Sequence, residues 1–504
     1  MIYNYIFKGH SQSEDNMERD LSLLTDLYEL TMMQGYFKEK KDNTVVFDVF
    51  YRINPFGGAY SICCGIEQMV DYIKNLSFTT DDIDYLRSTG YFDEDFLAYL
   101  SNFHFSGDIY AVPEGSVILP REPIVKIVAP IIEAQLIEPA VLNIVNHQSL
   151  IATKAARIKY AAGDNAILEF GLRRAQGPDA GIYGTRATYI AGCSGTSNVL
   201  AGKMFDIPVL GTHAHSWIMS FESEYEAFKT YAEIYPGNCT LLVDTYSTLR
   251  SGVPNAIKVF NEMKANGMDM SKCGIRIDSG DLAYLTKRAR TMLDEAGLTE
   301  VKISASGDLD ENLISSLKDQ GAQIDAWGVG TRMITADDNP SFGGVYKLAA
   351  IEENGEFTPK IKISENSAKI TNPGNKSLYR VYNNEGKIVA DLITLEHETY
   401  SEEDDLLLFD PIETWKQTIL HKGEYTIRPM LEPVFKAGEC VFKARPVKDI
   451  QEYCKKEQNT VWEESKRLLN PHIIHVDLSR PLYDMKQELL NKYGEAQLKY
   501  SRNN

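Results

Sequence analysis

The sequence predicts an α/β protein: an irregular seven-stranded parallel barrel, with an additional α+β domain formed by the N-terminal and C-terminal segments. Three observations predict it. Between Asn165 and Gly330 seven short apolar runs alternate with amphipathic helical stretches, the pattern of a parallel sheet or barrel. Each run ends in a polar or glycine-rich tip, as strands feeding an active site do. The flanking segments differ in texture, and 504 residues are too many for one ordinary core.

Residues 1–19 carry no periodic pattern and read as a disordered tail, within which Met17 offers an alternative start. Residues 20–160 read as an α+β domain. Its first helix begins near Asp20, where Leu23, Leu24, Leu27, Leu30 and Met33 recur at helical spacing. A strand follows at TVVFDVFYRI, then short strands around GDIYAVPEGSVILPREPIVKIVA, punctuated by Pro and Gly.

Residues 161–345 hold the seven runs: AILEF (166–170), one near CSGTS (193–197), PVLGT (208–212), CTLLVD (239–244), GIRID (274–278), VKISA (301–305) and IDAWGVG (324–330). Seven steps in this span predict a closed barrel one unit short of eight, with a doubly wound open sheet as the competing architecture. After PVLGT, Ile218, Phe221, Tyr225, Phe228, Ala232 and Tyr235 keep one helical face apolar. Residues 346–504 contain the strands GGVYKLAAI (entered from the barrel side), SLYRVYN and KIVADLITL and a helical end, PLYDMKQELLNKY. They are expected to fold back on the first domain.

Composition narrows the function. A hydrophobic share of 43% and a charged share of 24% are those of a globular protein. The net charge of -19 argues against nucleic acid or an anionic membrane as partner, so any phosphate site must be assembled locally. No apolar run reaches the length of a membrane span, and the N-terminus lacks the features of a secretory signal. Seven cysteines without a C-x-x-C pair fit reduced thiols and a cytoplasmic protein.

In a parallel barrel the strand ends converge. Here they supply Phe170 with Arg173 and Arg174, then Ser197, then His213 and His215, then Asp244. The later ends supply Arg276 and Asp278, then Ser306 and Gly307, then Gly328, Gly330 and Thr331. Glycine at the last two ends lets backbone N–H groups approach a phosphate. Arg276 and Asp278, two apart on one strand, project from the same face. Arg276 offers a fork for a carboxylate or phosphate, and the plain alternative is an Arg–Asp ion pair bracing the barrel mouth. Asp278 and Asp244 suit ribose hydroxyls or a magnesium ion. His215 at a strand end beside phosphate loops is a better nucleophile candidate than an isolated loop histidine.

The pieces LTDLYELTM, FDVFYR, EFGLRRAQGPD, GTSNVLAG, GTHAHSW, VDTYST, IRIDSGDL, ASGDLDE and WGVGT resemble the nicotinate phosphoribosyltransferase family, from Asp20 to Ala350. The resemblance implies phosphoribosyl transfer from phosphoribosyl pyrophosphate to nicotinate in NAD salvage, on an irregular seven-stranded barrel. It further implies Mg2+, a homodimer with sites at the subunit interface, and ATP as co-substrate through a phosphohistidine. On this resemblance His215 matches the phosphohistidine, and His213, where the family usually has Met, does not. Arg173 matches the arginine that meets the substrate, with Arg174 toward pyrophosphate. Phe170 and Tyr28 would sandwich the pyridine ring, Tyr28 from the partner subunit; without the resemblance, Tyr28 reads as a core helix residue. Ser197 stands where nicotinamide-using relatives place Asp, and so favours the acid over the amide. The alternatives are nicotinamide as the base, a non-catalytic nucleotide-binding member of the fold, and an unrelated barrel acting on another sugar phosphate.

Overall fold

A computed structural model describes residues 20–503 apart from 365, 367, 368, 412 and 414. The expectation of a disordered tail over residues 1–19 lies outside the described residues. Three large sheets organise the described chain. The first is antiparallel and joins distant parts of the sequence. Thr44–Tyr51 pairs on one side with Val125–Pro130 and on the other with Gly344–Glu353. Glu432–Lys436 extends the same sheet through Asp108–Ala111. The third sheet is built from the C-terminal segment, centred on Ile388–Leu395 between Lys376–Asn383 and His475–Leu478. The C-terminal segment thus both extends the first sheet and forms one of its own.

The second sheet is parallel and carries the predicted tips. Its order is Gly195–Thr196, Ala166–Glu169, Ala326–Val329, Lys302–Ser306, Cys273–Ile277 and Cys239–Leu242. Parallel strands buried on both faces read as continuous apolar runs, and Ile167, Leu241, Ile275, Ile277, Ile303 and Val329 are all buried. The run at 208–212 departs from expectation and forms no ladder. Val209 makes an isolated parallel bridge with Thr196, supported by Thr196 N–H to the Pro208 carbonyl and Leu210 N–H to the Thr196 carbonyl. Pro208 has no N–H with which to extend the pairing. Among the described residues no ladder joins this run to Cys239–Leu242. Instead the His213 ring bridges that seam, Nε2 accepting the Leu242 N–H at 3.3 Å.

Two helix boundaries also differ. The first helix is Leu27–Lys38, not a helix from Asp20. Ser22 Oγ donates to the Ser77 carbonyl at 2.6 Å and Thr25 Oγ1 to the Leu136 carbonyl at 3.2 Å, so tertiary hydrogen bonds hold residues 22–25 out of the helix. The apolar face after PVLGT is split into His215–Met219 and Glu224–Ile234, because Ser223 caps the second helix by accepting the Glu226 N–H.

The 25-residue helix Glu138–Ala162 ties the first sheet to the parallel sheet. It opens with Pro139 in its first turn and ends at Gly163, whose φ of +64° stops it. Its buried Lys154 pairs with Glu311 at 2.8 Å, on the helix after Lys302–Ser306. Another buried pair, Arg186 with Glu114 at 2.7 Å, links the helix Pro178–Ile190 to the N-terminal segment. Removing one partner of such a pair strands a charge and costs about 3–5 kcal/mol. These pairs fix the strand tips relative to the first sheet.

Candidate active site

Register decides which side chains meet. Ser304 lies opposite Arg276, Leu242 opposite Arg276 on the other side, and Ser306 opposite Gly328. A cavity at these strand ends is lined by Leu168, Phe170, Thr212, Arg276, Ser306 and Gly328.

Arg276 is its organising residue. Nε donates to Ser306 Oγ at 2.8 Å, one terminal nitrogen to Thr212 Oγ1 at 2.9 Å, and the other to Asp278 Oδ1 at 2.7 Å. Its guanidinium carbon lies 5.5 Å from the centre of the Phe170 ring. The predicted open fork is therefore largely spent on protein partners. Of five N–H groups three are engaged, leaving two. The ion-pair alternative and a ligand-facing role coexist in this geometry.

Asp278 also accepts from Ser306 Oγ. Burial raises its carboxyl, but the hydrogen bonds from Ser306 and Arg276 and the Arg276 charge outweigh burial and hold it below the ordinary aspartate value. Asp244 Oδ2 accepts the Asp278 N–H at 2.9 Å and Ser279 Oγ at 2.6 Å. Its other oxygen, Oδ1, is buried without a hydrogen-bond partner. A buried carboxylate oxygen left bare is a donor in want of a cation, so Asp244, with Asp278 beside it, fits magnesium.

His215 stands at the rim, opening the helix His215–Met219. Nδ1 lies 3.1 Å from Thr245 Oγ1 and Nε2 lies 3.9 Å from Asp278 Oδ2. With Nδ1 engaged by Thr245, Nε2 is the nitrogen turned toward the site. His213, by contrast, is buried, and burial pushes its ring down to about 4. Its Nε2 lone pair is used by the Leu242 N–H, which leaves it neutral and structural.

The glycines are positioned by close approach. A Cβ on Gly307, whose φ is +107°, would lie 2.5 Å from the Asp278 carbonyl, and Asp308 beside it also has a positive φ of +46°. A Cβ on Gly328 would strike the Phe170 ring at 2.7 Å, and one on Gly330 would meet the Phe170 carbonyl at 3.0 Å. Thr331 begins the four-residue helix Thr331–Ile334 directly after Gly330.

The remaining predicted residues stand farther out. Arg173 and Arg174 lie on the exposed turn Leu172–Arg174 that follows Phe170, with no side-chain ion pair among the described residues. Ser197 follows the strand Gly195–Thr196, its N–H donating to the Glu169 carbonyl at 2.9 Å. Tyr28 is not brought to the cavity. It sits on the first helix, 50% exposed, beside Glu29.

One residue escaped sequence reasoning. Glu169 is fully buried, and accepts the Gly171 N–H, Thr196 Oγ1 at 2.5 Å and Thr185 Oγ1 at 3.1 Å. Burial raises its carboxyl despite these bonds. From the end of the strand Ala166–Glu169 it ties in three elements: the strand before Ser197, the turn bearing Arg173 and the helix Pro178–Ile190. A lone acid inside the apolar run AILEF was the available signal.

Three family descriptions match the chain: the nicotinate phosphoribosyltransferase N-terminal domain over residues 23–146, the nicotinate phosphoribosyltransferase family over 166–386, and its C-terminal domain over 375–486. A nicotinate phosphoribosyltransferase of Bacillus subtilis is 46% identical over 474 residues, covering 94% of this chain and 96% of that one. One of Caenorhabditis elegans is 35% identical, covering 95% of each. Among solved structures, human nicotinic acid phosphoribosyltransferase superposes with a TM-score of 0.81 at 27% identity, covering 93% of this chain and 100% of that one. With its strand-end cluster and these likenesses over nearly its whole length, the chain belongs to the nicotinate phosphoribosyltransferase family.

Proposed function

We propose that this chain transfers the phosphoribosyl group of phosphoribosyl pyrophosphate to nicotinate, giving nicotinate mononucleotide and pyrophosphate in NAD salvage, with coupled hydrolysis of ATP through His215. The observation that carries the reading is the linked cluster of Phe170, Arg276, Asp278, Asp244 and His215, of which Phe170 and Arg276 line the cavity. The pyridine nitrogen lone pair forms the bond to the anomeric carbon as the bond to pyrophosphate oxygen breaks. No proton has to be removed from the nucleophile, so no general base is needed and positioning supplies most of the effect.

Phe170 offers an aromatic face to the base, with Tyr28 of a second copy closing the other face in a homodimer. Ser197 selects the carboxylate of nicotinate, Arg173 meets the substrate, and Arg174 meets the pyrophosphate. Ser306, Gly307, Gly328, Gly330 and Thr331 form the phosphate-facing rim, where the absence of a Cβ brings backbone close. Asp244 and Asp278 hold Mg2+ or the ribose hydroxyls, and Mg2+ there supplies charge neutralisation of the leaving pyrophosphate. In the ATP half-reaction His215 Nε2 attacks the terminal phosphorus, the bond to ADP breaks, and water later takes the phosphoryl group. The added negative charge beside Asp278 and Arg276 is what couples that step to the site.

The same reading takes the parallel sheet as a seven-stranded barrel closed along the His213 seam, the domains as residues 20–160, 161–345 and 346–504, and the location as cytoplasmic. It is tested by incubating the chain with nicotinate, phosphoribosyl pyrophosphate, magnesium and ATP. Nicotinate mononucleotide should form, and its absence refutes the reading. His215→Ala should abolish ATP hydrolysis while a residual, ATP-independent transfer remains. An unchanged ATPase removes His215 from the scheme.

A further inference from the structure

Away from the strand tips, a cleft lies between the first antiparallel sheet and the C-terminal segment. Arg121, Lys347, Lys376 and Lys486 line it, together with Asp48 and Asn372. This is a concentration of cations in a chain whose net charge is -19. We propose that the cleft is a second anion site, distinct from the catalytic cavity, which takes a single phosphate-type oxyanion on Lys486 and Arg121.

Two of the four cations, Arg121 and Lys486, have no carboxylate at ion-pair distance among the described residues, whereas Lys376 and Lys347 do. Asp48 is committed to Lys376 at 2.7 Å. Lys486, on the last helix, is only 8% exposed, and its ammonium makes one polar contact, to Asn372 Oδ1 at 2.8 Å. Among the described residues no carboxylate pairs with it. A buried ammonium without an anion is strongly unfavourable unless something compensates it. Burial, with Arg121 and Lys376 repelling, pushes it down to about 8.

Arg121 supplies the second, independent observation. Its φ is +74°, the left-handed region, in a residue with a Cβ. Its N–H is held by the Tyr51 carbonyl at 2.7 Å, yet its guanidinium makes no hydrogen bond among the described residues. The acid that acts on it, Asp410, lies 3.6 Å from His475 at the cleft edge. Lys347 is turned partly away, 3.9 Å from Glu138. A strained backbone therefore presents an unpaired guanidinium to the same cleft as an unpaired ammonium. Arginine with lysine suits a tetrahedral oxyanion. Much of the rest of the wall, including Phe50, Leu348 and Ile370, is apolar, which suits a compact oxyanion. None of these residues lines the catalytic cavity.

The test is thermal unfolding of the full chain against inorganic phosphate, and separately ribose 5-phosphate, at constant ionic strength with chloride. Calorimetric titration supplies the stoichiometry. Phosphate should raise the melting temperature of the unaltered chain and still raise that of Arg276→Ala, in which the catalytic cavity is damaged. Lys486→Met should melt higher than the unaltered chain without phosphate, because it removes an uncompensated buried charge. It should need at least about tenfold more phosphate for the same rise, as loss of a charged hydrogen bond predicts. Arg121→Gln, which keeps the size of the site, should weaken binding in the same way. Ribose 5-phosphate acting alone in Arg276→Ala would assign the oxyanion to a sugar phosphate. Binding lost in Arg276→Ala but kept in Lys486→Met, or no binding anywhere, overturns the proposal.

Discussion

Gly328→Ala tests the stacking slot most directly, because the added methyl meets the Phe170 ring itself. The new Cβ would lie 2.7 Å from Phe170 Cε2, 2.8 Å from its Cδ2 and 3.2 Å from Ser306 Cβ. Carbon atoms at ordinary contact sit roughly 3.5–4.0 Å apart, so the ring must retreat by about 0.8 Å or more. The ring faces the Arg276 guanidinium at 5.5 Å and Arg276 is pinned by three partners, so the retreat comes out of the space meant for the base. Overpacking of this kind costs about 1–3 kcal/mol, equivalent to roughly 5- to 150-fold in affinity. The assay is initial-rate formation of nicotinate mononucleotide with varied nicotinate, then with varied phosphoribosyl pyrophosphate. KM for nicotinate should rise within that range, and KM for the phosphosugar much less, with the melting temperature showing that the variant is folded. An unchanged KM for nicotinate in a folded variant would refute the placement of the base against Phe170.

Two further outcomes follow from other residues. Ser197→Asp should move preference from nicotinate toward nicotinamide, since a carboxylate repels the acid and accepts from the amide; equal ratios of kcat/KM before and after would remove Ser197 from base selection. Glu138, at the start of the long helix, is raised from 4.5 to about 7, first by burial, with Lys347 opposing and Glu29 adding. A carboxyl raised on folding binds more protons folded than unfolded, so its stability contribution is present below 4.5 and lost as pH rises through 7. The loss is up to about 3 kcal/mol. Glu138→Gln should remove that slope from denaturant-unfolding curves at pH 4.5 to 7, and parallel pH profiles for both chains would show the carboxyl is not perturbed.

The family was more legible than the architecture. Strand tips could be read because alternation of apolar runs with polar ends is a short-range pattern, and six of the seven predicted runs contain strands of one parallel sheet. The run PVLGT could not be told from a ladder strand, since a single proline and one bridge decide it. The helix start at Asp20 failed for a similar reason. Side chains of Ser22 and Thr25 found backbone partners 55 and 111 residues away, which no local pattern contains.

By itself the sequence determined which residue types reach the strand ends and in what order: Phe170, Ser197, His215, Asp244, Arg276, Asp278, Ser306 and the glycines at 307, 328 and 330. Only the tertiary structure decided that Arg276 is held on three sides, that Glu169 binds three elements together, and that Lys376 meets Asp48 across more than three hundred residues. The physical reason is range. Strand periodicity and turn chemistry act between neighbours in the chain, whereas register, burial and charge pairing are set where distant segments pack, as Val45 against Ile351.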